Sequence, residues 1–250
     1  MNNFVTDAIN LKSYNLSEND KIILMYSKEK GLIKGVAKGC KKPKSKLGAR
    51  MDCLIANTLM LYKGKNLDTI CEAQAINTFK NSRQDLDKLF NSVYISEIVG
   101  NFGMENDPAS EEIYNLLYKA LEKISSAKDK KDILISVIKF QLKFMQLSGF
   151  GLELDTCLCC SKPVLEENMY FSSQKGGIIC ENCKKGEIKL HNKLRDFLTA
   201  MLQFDFDYES EYDKKATEKI CNVCFELLKD YIQLHCPKKI KTTKIMHEIA

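Results

Sequence analysis

The sequence predicts a mixed α+β protein in which a small β-barrel precedes a helical domain, and a four-cysteine segment interrupts the helices. Three observations support this fold class. Residues 4–76 contain short apolar runs separated by turn residues, and residues from 84 onward repeat apolar side chains at helical spacing. Two Cys-x2-Cys pairs lie between predicted helices. Strands show short or alternating apolar runs, whereas helices repeat them every three to four residues.

Five strands are predicted in the first 80 residues. Turn signals such as Glu29-Lys30-Gly31 and Lys63-Gly64-Lys65 separate them, and no long helical pattern intervenes. Five short strands of this kind favour a closed barrel, and the five-stranded oligonucleotide-binding barrel, the OB-fold, is the most economical choice. The predicted strands are residues 4–14, 21–27, 32–38, 52–62 and 67–75.

Helices follow the barrel, at residues 84–99, 108–124, 132–148, 191–204 and 214–236. The helix at 132–148 is almost entirely apolar, which predicts the buried centre of a bundle. We therefore expect an OB-fold nucleic-acid-binding domain over residues 1–80 and a helical domain over 81–250, interrupted by a metal segment at 155–188.

The metal segment contains two Cys-x2-Cys pairs separated by nineteen residues, namely Cys157 with Cys160 and Cys180 with Cys183. This spacing is typical of a four-thiolate zinc site. A hairpin with Gly176-Gly177 as its turn would bring the second pair back to the first. Four thiolates fill a tetrahedral ion and leave no open position, so the Zn²⁺ is predicted to be structural.

Alternatives for these cysteines remain open at this point. Eleven cysteines are too few for a disulfide scaffold of this length, and a signal-peptide pattern is missing, so we expect a reducing, cytoplasmic location. Cys159 is a fifth thiol inside the first pair and could replace a neighbour as ligand. A redox-active Cys-x-x-Cys motif is a further alternative. It would account for only one of the two pairs, whereas a zinc site accounts for both. A zinc deaminase would need His-x-Glu and Pro-Cys-x-x-Cys motifs, which the sequence does not contain.

A basic run at residues 38–50, KGCKKPKSKLGAR, lies between the third and fourth predicted strands and contains no acidic residue. The phosphate backbone of nucleic acid is the partner we expect, because each cation that neutralises a phosphate releases a counterion. Lysines act here as point charges and do not read bases. The alternative is a solvated basic turn without a ligand. The predicted DNA-binding residues are Lys38, Lys41, Lys42, Lys44, Lys46 and Arg50.

Three tyrosines of the predicted strands, Tyr14, Tyr26 and Tyr62, are candidate stacking platforms for bases. A half-buried core position is the more common role of a strand tyrosine. The acidic run at 205–213 is interpreted as a solvated turn and not a calcium loop, because Ser210 stands where the loop requires glycine.

Several function classes find no support in the sequence. The net charge of +5 is only mildly basic, so the distribution of charge carries more information than the sum. No apolar run is long enough to span a membrane. The phosphate-cradling motif G-x-x-x-x-G-K-[ST] does not occur, and none of the three histidines is paired with a carboxylate at metal spacing. We therefore predict a protein that is not an enzyme.

Several segments resemble the RecO family of bacterial recombination-mediator and DNA-repair proteins. They are residues 6–11 and 17–21, 31–39 and 43–46, 147–151 leading into the first cysteine pair, and 176–180 leading into the second. The order of these segments covers nearly the whole chain. The resemblance implies an OB-fold, a helical domain with a zinc segment, binding of single- and double-stranded DNA, and annealing of complementary strands.

The resemblance also implies partners. Family members act with RecR, and in some bacteria RecF, to load the RecA recombinase onto DNA coated by single-strand-binding protein. They bind the acidic C-terminal tail of that protein through the helical domain. Lys139 and Lys143 are considered for the tail site, although a bundle edge is the more common role for such residues. Residues 237–244 carry lysines where the family tends to carry arginine, which puts bidentate phosphate contacts there in doubt.

A second function remains open at this point, namely an RNA- or translation-associated binding module built on the same barrel and zinc segment. Charge and base stacking serve RNA as well as DNA, and no residue visibly reads a 2′-hydroxyl. Direct competition between RNA and DNA of one sequence would separate the two functions.

Overall fold

The computed structural model describes residues 3–165 and 168–249. The chain forms two compact units, the first from Met1–Ser126 with Ile240–Ala250 and the second from Ala127–Lys239. The helices that follow the barrel in sequence, up to residue 126, therefore group with it. The predicted domain boundary at residue 80 was drawn from sequence pattern alone and stays a prediction.

The first unit contains a closed five-stranded barrel with strand order β1-β2-β3-β5-β4, in which β4 pairs again with β1. This order confirms the predicted barrel. The strands are β1 (Asn3–Asn15), β2 (Lys21–Ser27), β3 (Gly31–Ala37), β4 (Ala56–Tyr62) and β5 (Asp68–Asn77).

Closure of the barrel depends on a glycine in β3. β3 and β5 form the parallel pairing, with Gly35 opposite Asp68 and Val36 opposite Thr69. A Cβ atom at Gly35 would lie 2.8 Å from Cγ1 of Ile70. Because any larger residue would collide with the β5 side chain, the two strands approach closely only at a glycine.

Inward-facing side chains of all five strands fill the barrel. Ile23 and Met25 of β2 alternate with outward residues, as do Leu59 and Leu61 of β4. Alternation of this kind is what closes a barrel around a side-chain core. Cys40, Leu47 and Met51, from the segment between β3 and β4, belong to the same core.

The fourth strand begins at Ala56 and not at the predicted residue 52. Leu54 has a positive φ of 58°, which breaks the extended conformation just before the strand. The buried Asn10 of β1 organises this bend, since its side-chain amide donates to the carbonyls of Arg50 (2.8 Å) and Asp52 (2.9 Å). The sequence pattern could not show a bend that depends on a side chain 40 residues away.

Helices α1 (Leu86–Phe102) and α2 (Ser110–Ser126) pack on β1 and β2. Asp85 caps α1 by accepting a hydrogen bond from the Lys88 amide. Both helices agree with the sequence prediction to within a few residues.

The first unit also contains α7 (Thr242–Ile249), which the sequence pattern did not predict. The carboxylate of Glu97 in α1 accepts hydrogen bonds from the amides of Lys241 (3.0 Å) and Thr242 (2.9 Å) and from the Thr242 hydroxyl (2.6 Å). Ile240, only 1% exposed, anchors the segment. A carboxylate at a helix N-terminus satisfies amides that have no partner within the helix.

The second unit is built around α3 (Lys130–Leu147), which packs against α4 (Asn192–Gln203) and α6 (Glu218–His235). This confirms α3 as the predicted buried centre. A small sheet of β6 (Met169–Ser172), β7 (Gly177–Cys180) and β8 (Ile188–Leu190) separates α3 from α4 along the chain. In the part of the chain that the structure describes, no helix is both long and apolar enough to cross a membrane.

The acidic run 205–213 is tied to α3 by a buried ion pair, which the predicted solvated turn did not include. Lys139 Nζ lies 3.1 Å from Asp213 Oδ1, with side chains only 4% and 7% exposed. Asp213 also completes a capping box with Ser210 at the start of α5 (Glu211–Lys215). The predicted helix 214–236 is consequently split, because α5 ends at Lys215 and α6 restarts after the Thr217 cap.

Replacing Lys139 by methionine should lower the free energy of unfolding of this unit by roughly 3–5 kcal/mol, because Asp213 would keep a buried charge without its partner. Urea denaturation followed by circular dichroism measures the loss. Lys143→Met is the matched control, since its partner Asp205 is 76% exposed. We expect that control to change stability by less than about 1 kcal/mol. Equal stability of the two variants would contradict the role given to the buried pair.

Candidate nucleic-acid interface and metal centre

The basic loop, residues 38–50, is fixed to the barrel by its own apolar side chains. Cys40, Leu47 and Met51 are buried in the barrel core at the two ends of the lysine run. Gly48–Met51 forms a turn of 3-10 helix that brings Met51 inward. Burial of one Leu or Met side chain stabilises the folded state by about 1.5–3 kcal/mol, so detaching the loop from the barrel would cost several kcal/mol. The lysines between Cys40 and Leu47 are exposed to solvent.

The turn between β1 and β2 supports the base of the basic loop. Asp20 Oδ1 accepts a hydrogen bond of 2.7 Å from the Gly39 amide, and the Lys41 amide donates to the Asn19 carbonyl at 3.1 Å. The pKa of Asp20 is lowered, first by the Gly39 hydrogen bond, then by Ser17, with Lys38 and Lys42 adding a smaller contribution. Sequence reasoning missed Asp20, because no local motif connects it to a loop nineteen residues away.

All six predicted DNA-binding cations have exposed side chains. Lys41 Nζ donates to the Ser17 carbonyl at 3.1 Å, and the Arg50 guanidinium donates to the Lys46 carbonyl. Within residues 3–165 and 168–249, none of the six forms an ion pair with a carboxylate. The six cations therefore have no ion-pair partner in the described part of the chain, although Lys38 and Lys42 lie close enough to Asp20 to lower the pKa of its carboxyl.

The three candidate tyrosines differ in accessibility. Tyr14 is 45% exposed and Tyr62 is 47% exposed, so both rings can be reached from solvent. Tyr26 is fully buried and donates a hydrogen bond of 2.9 Å to Asp107. Burial is the main cause that raises the pKa of Tyr26, and the Asp107 carboxylate raises it further. The suggestion that Tyr26 stacks on a base was wrong, because α2 and the segment before it cover that end of the barrel.

The four predicted ligand cysteines come together in the second unit. Their sulfur atoms all lie within 4.8 Å of one another, and the Sγ atoms of Cys160 and Cys180 are 3.9 Å apart. A tetrahedral ion with sulfur ligands at about 2.3 Å would separate them by about 3.8 Å. The donor set and its spacing therefore fit a tetrahedral metal ion, and zinc is compatible with them.

The predicted hairpin brings the two cysteine pairs together. β6 and β7 pair antiparallel with Met169 opposite Cys180, and Gly176 has the positive φ of 78° that its turn requires. The first pair is held against this hairpin, since the Leu158 amide donates to the Ile178 carbonyl at 3.0 Å. β8, which pairs with β6, was not predicted because its three residues are too few to show a period.

Backbone amides point at the sulfur of Cys157. The amides of Cys159 and Cys180 each donate to Cys157 Sγ at 3.4 Å. Burial opposes the charged form of this thiol, but these amides outweigh it and the pKa of Cys157 is lowered to about 6. Hydrogen bonding to Cys180 instead raises the pKa of Cys183.

Cys159 lies outside the cluster. Its sulfur is exposed and accepts a hydrogen bond of 3.1 Å from Lys175 Nζ, whereas Cys160 points to the other three thiols. The alternative in which Cys159 replaces a neighbour as ligand does not correspond to this geometry.

The fold and the site together define the class of protein, namely an OB-fold barrel with an exposed basic loop, joined to a helical unit that carries a four-cysteine centre. A family model described as "Recombination protein O N terminal" matches residues 1–79, and one described as "Recombination protein O C terminal" matches residues 83–244. The chain belongs to the RecO family.

Individual relatives agree with this assignment. The chain is 30% identical to a DNA repair protein RecO of Desulforamulus reducens over 97% of its own length and 93% of that protein. It is 33% identical to the protein of that name from Acetivibrio thermocellus, over 76% of this chain and 75% of the relative. A third, from Clostridium novyi, is 26% identical over 98% of this chain and 93% of the relative.

Replacing Cys180 by serine should abolish stoichiometric metal binding and lower the melting temperature of the purified protein, because three thiolates cannot complete the tetrahedral site. Elemental analysis and a thermal melt followed by circular dichroism measure the two effects. Cys159→Ser is the matched control and should retain both metal and stability, since its sulfur is not in the cluster. Loss of metal in the control, or its retention in the Cys180 variant, would contradict the ligand set.

Proposed function

We propose that this chain is a DNA-binding mediator of recombinational repair. It binds single- and double-stranded DNA, anneals complementary strands and, with RecR, helps to load RecA onto DNA coated by single-strand-binding protein. The observation that carries the proposal is the exposed basic loop, anchored in an OB-fold core and not paired with carboxylates of the described chain. Membership of the RecO family supports it independently.

Contact of the basic loop with phosphates explains why both forms of DNA would bind. Lysines Lys38 to Lys46 present ammonium groups as point charges, and phosphates are common to single and double strands. Each engaged phosphate releases counterions, which gives affinity that is independent of sequence and falls with salt.

Annealing follows from the same chemistry. Two complementary strands repel each other through their phosphates, and cations that neutralise these phosphates lower the repulsion. Because lysine contacts to the backbone leave the base edges free, bound strands can still pair with each other. No bond of the DNA is made or broken in this step, so the proposed activity is not enzymatic.

The proposed partners are RecR, the acidic tail of single-strand-binding protein and, in some bacteria, RecF. Lys139 is buried against Asp213, which argues against a contact between Lys139 and the tail. Lys143 pairs at 3.1 Å with Asp205, whose side chain is 76% exposed, so an acidic tail could compete for this lysine.

We propose that the four-cysteine centre holds structural Zn²⁺. Cys157, Cys160, Cys180 and Cys183 would supply all four ligands, which leaves no open position for water or substrate. Zinc in this position joins the segment after α3 to the β6–β7 hairpin, and its binding energy becomes folding energy of the second unit.

Replacing Lys41, Lys42, Lys44 and Lys46 together by glutamine should weaken binding of single-stranded DNA of any sequence. The slope of log affinity against log salt should become flatter by up to about 3, at about 0.7 for each lost phosphate contact. Fluorescence anisotropy over a salt series measures both quantities, and competition with RNA of the same sequence tests whether DNA is preferred.

The matched control replaces four exposed lysines of the second unit, Lys128, Lys130, Lys214 and Lys215, by glutamine. It changes the net charge equally but leaves the barrel unaltered. We expect its salt slope to resemble that of the unmodified protein. Equal weakening in both variants would show that bulk charge, and not the basic loop, binds the DNA.

The purified protein should accelerate annealing of complementary strands that are coated by single-strand-binding protein. The variant without the four loop lysines should anneal more slowly, because the phosphates of the two strands are no longer neutralised. Quenching between dyes on the two strands measures the rate. An unmodified protein that binds DNA but does not accelerate annealing would contradict the mediator function while leaving DNA binding intact.

A further inference from the structure

The turn between β1 and β2 carries an acidic residue that contacts the backbone of the basic loop. Asp20 Oδ1 accepts the hydrogen bond of 2.7 Å from the Gly39 amide. The neighbouring Asn19 carbonyl accepts a hydrogen bond of 3.1 Å from the Lys41 amide. The two bonds lie on either side of Cys40, whose side chain is buried in the barrel core. Together these three contacts hold the beginning of the basic loop against the barrel.

The hydrogen bond to Asp20 is made at a turn of the loop backbone. Gly39 has a positive φ of 64°, a conformation that favours glycine, and the Lys42 amide closes the turn by donating to the Gly39 carbonyl at 3.2 Å. Lys38 precedes this turn, and Lys41 and Lys42 follow it. The geometry at Gly39 therefore sets how three of the six loop cations are arranged relative to one another.

Asp20 is itself held by its own turn. Its amide donates to Ser17 Oγ at 3.2 Å, and its carbonyl accepts a hydrogen bond of 3.0 Å from the Leu16 amide. The Gly39 amide is the main cause that lowers the pKa of the Asp20 carboxyl, so the carboxylate is charged when it accepts this bond. Charged acceptors form stronger hydrogen bonds than neutral ones.

A carboxylate beside a DNA-binding loop has two opposing effects. Its negative charge repels the phosphates of a bound strand, but repulsion between exposed groups is screened by salt. Its hydrogen bond to Gly39 orders the loop backbone before DNA binds. A loop that is already ordered loses less conformational entropy on binding, which raises the affinity.

We propose that Asp20 is a positioning residue for DNA binding, because it holds the turn at Gly39 in the arrangement that presents the loop lysines to phosphates. An anionic side chain thereby strengthens the binding of a polyanion. The inference rests on the proposed function and deepens it, since it names a residue outside the basic loop on which the same site depends. Net charge alone predicts the opposite sign, because removal of an acidic residue near bound phosphates would raise the affinity.

The test compares two substitutions of Asp20 in the full chain. Asp20→Asn removes the charge but keeps a side-chain oxygen that can accept the hydrogen bond from the Gly39 amide, whereas Asp20→Ala removes both. Fluorescence anisotropy at low salt measures the affinity for an oligothymidylate of about 20 nucleotides, which is longer than the site of one OB-fold barrel.

Asp20→Ala should bind this strand about tenfold more weakly than the unmodified protein, which is about the cost of ordering the backbone of one residue. Asp20→Asn should restore the affinity to within about twofold of the unmodified protein, because the acceptor is retained and the repulsion of phosphates is removed. The comparison of these two variants isolates the hydrogen bond from the charge.

Glu18 provides the matched control, because it lies in the same turn and its side chain is exposed. In the part of the chain that the structure describes, its carboxylate forms no hydrogen bond or ion pair with the basic loop. Glu18→Ala therefore removes the same charge from the same turn. We expect it to bind the strand as tightly as the unmodified protein, or up to about twofold more tightly.

Two further measurements separate positioning from a loss of folding or of phosphate contacts. A thermal melt followed by circular dichroism shows whether the barrel is folded, and titration at high strand concentration gives the active fraction. The slope of log affinity against log salt should be the same in Asp20→Ala as in the unmodified protein, because all six loop cations remain. If Asp20→Ala does not fold, Asp20→Leu replaces it, since leucine resembles asparagine in size and lacks the acceptor.

The outcomes distinguish this inference from the function on which it rests. If the unmodified protein binds no DNA, the proposed function fails. If it binds DNA and Asp20→Ala binds as tightly or more tightly, the basic loop stands and Asp20 does not position it. Equal weakening in Asp20→Asn and Asp20→Ala, or in Glu18→Ala and Asp20→Ala, would also overturn the inference, because the charge and not the hydrogen bond would be responsible. A salt slope flattened by about 0.7 or more in Asp20→Ala would show a lost phosphate contact and contradict a role in order alone.

Discussion

Burial of apolar side chains from an otherwise cationic loop is the interaction on which the proposed interface depends. Cys40, Leu47 and Met51 enter the barrel core, and the lysines between and beside them are held outside by that anchoring. Lysines on a mobile tail would lose conformational freedom each time they bound a phosphate. Here the backbone of the loop is already ordered on folding, so part of that entropy is lost before a phosphate binds.

The same barrel shows how a single small residue can position a ligand surface. Gly35 allows β3 to approach β5, and this parallel contact places the outer face of β3 beside the loop that follows β4. Without closure at this point, β3 and β5 would be the two edges of an open sheet. Barrel closure therefore also removes strand edges that could pair with other chains.

Much of this architecture could be predicted from sequence because it depends on local patterns. The five strands, the buried α3 and the two Cys-x2-Cys pairs all show their period or spacing within a short window. The remaining features depend on distant partners. Asn10 bends the chain at Leu54, Asp213 draws Lys139 into the interior, and Glu97 starts a helix at Thr242. None of these contacts leaves a signal in the neighbouring residues.

The features of the candidate site likewise separate into those with a local sequence signal and those that depend on distant residues. The six loop cations and the four cysteines could be named from composition and spacing. The absence of an ion pair at these cations within residues 3–165 and 168–249, and the exclusion of Cys159 from the cluster, could not. Exposure likewise separates Tyr14 and Tyr62 from Tyr26, although all three occupy similar strand positions.

The contact between Glu97 and α7 has a consequence for the order in which the protein matures on the ribosome. Domains generally fold as units during synthesis, with the N-terminal part first. The unit that contains the barrel, however, includes Ile240 and Thr242, which are translated after the whole second unit. A nascent chain that has only just exposed the barrel strands therefore still lacks a helix that covers α1, and it acquires its final form only once residues 240–249 have emerged.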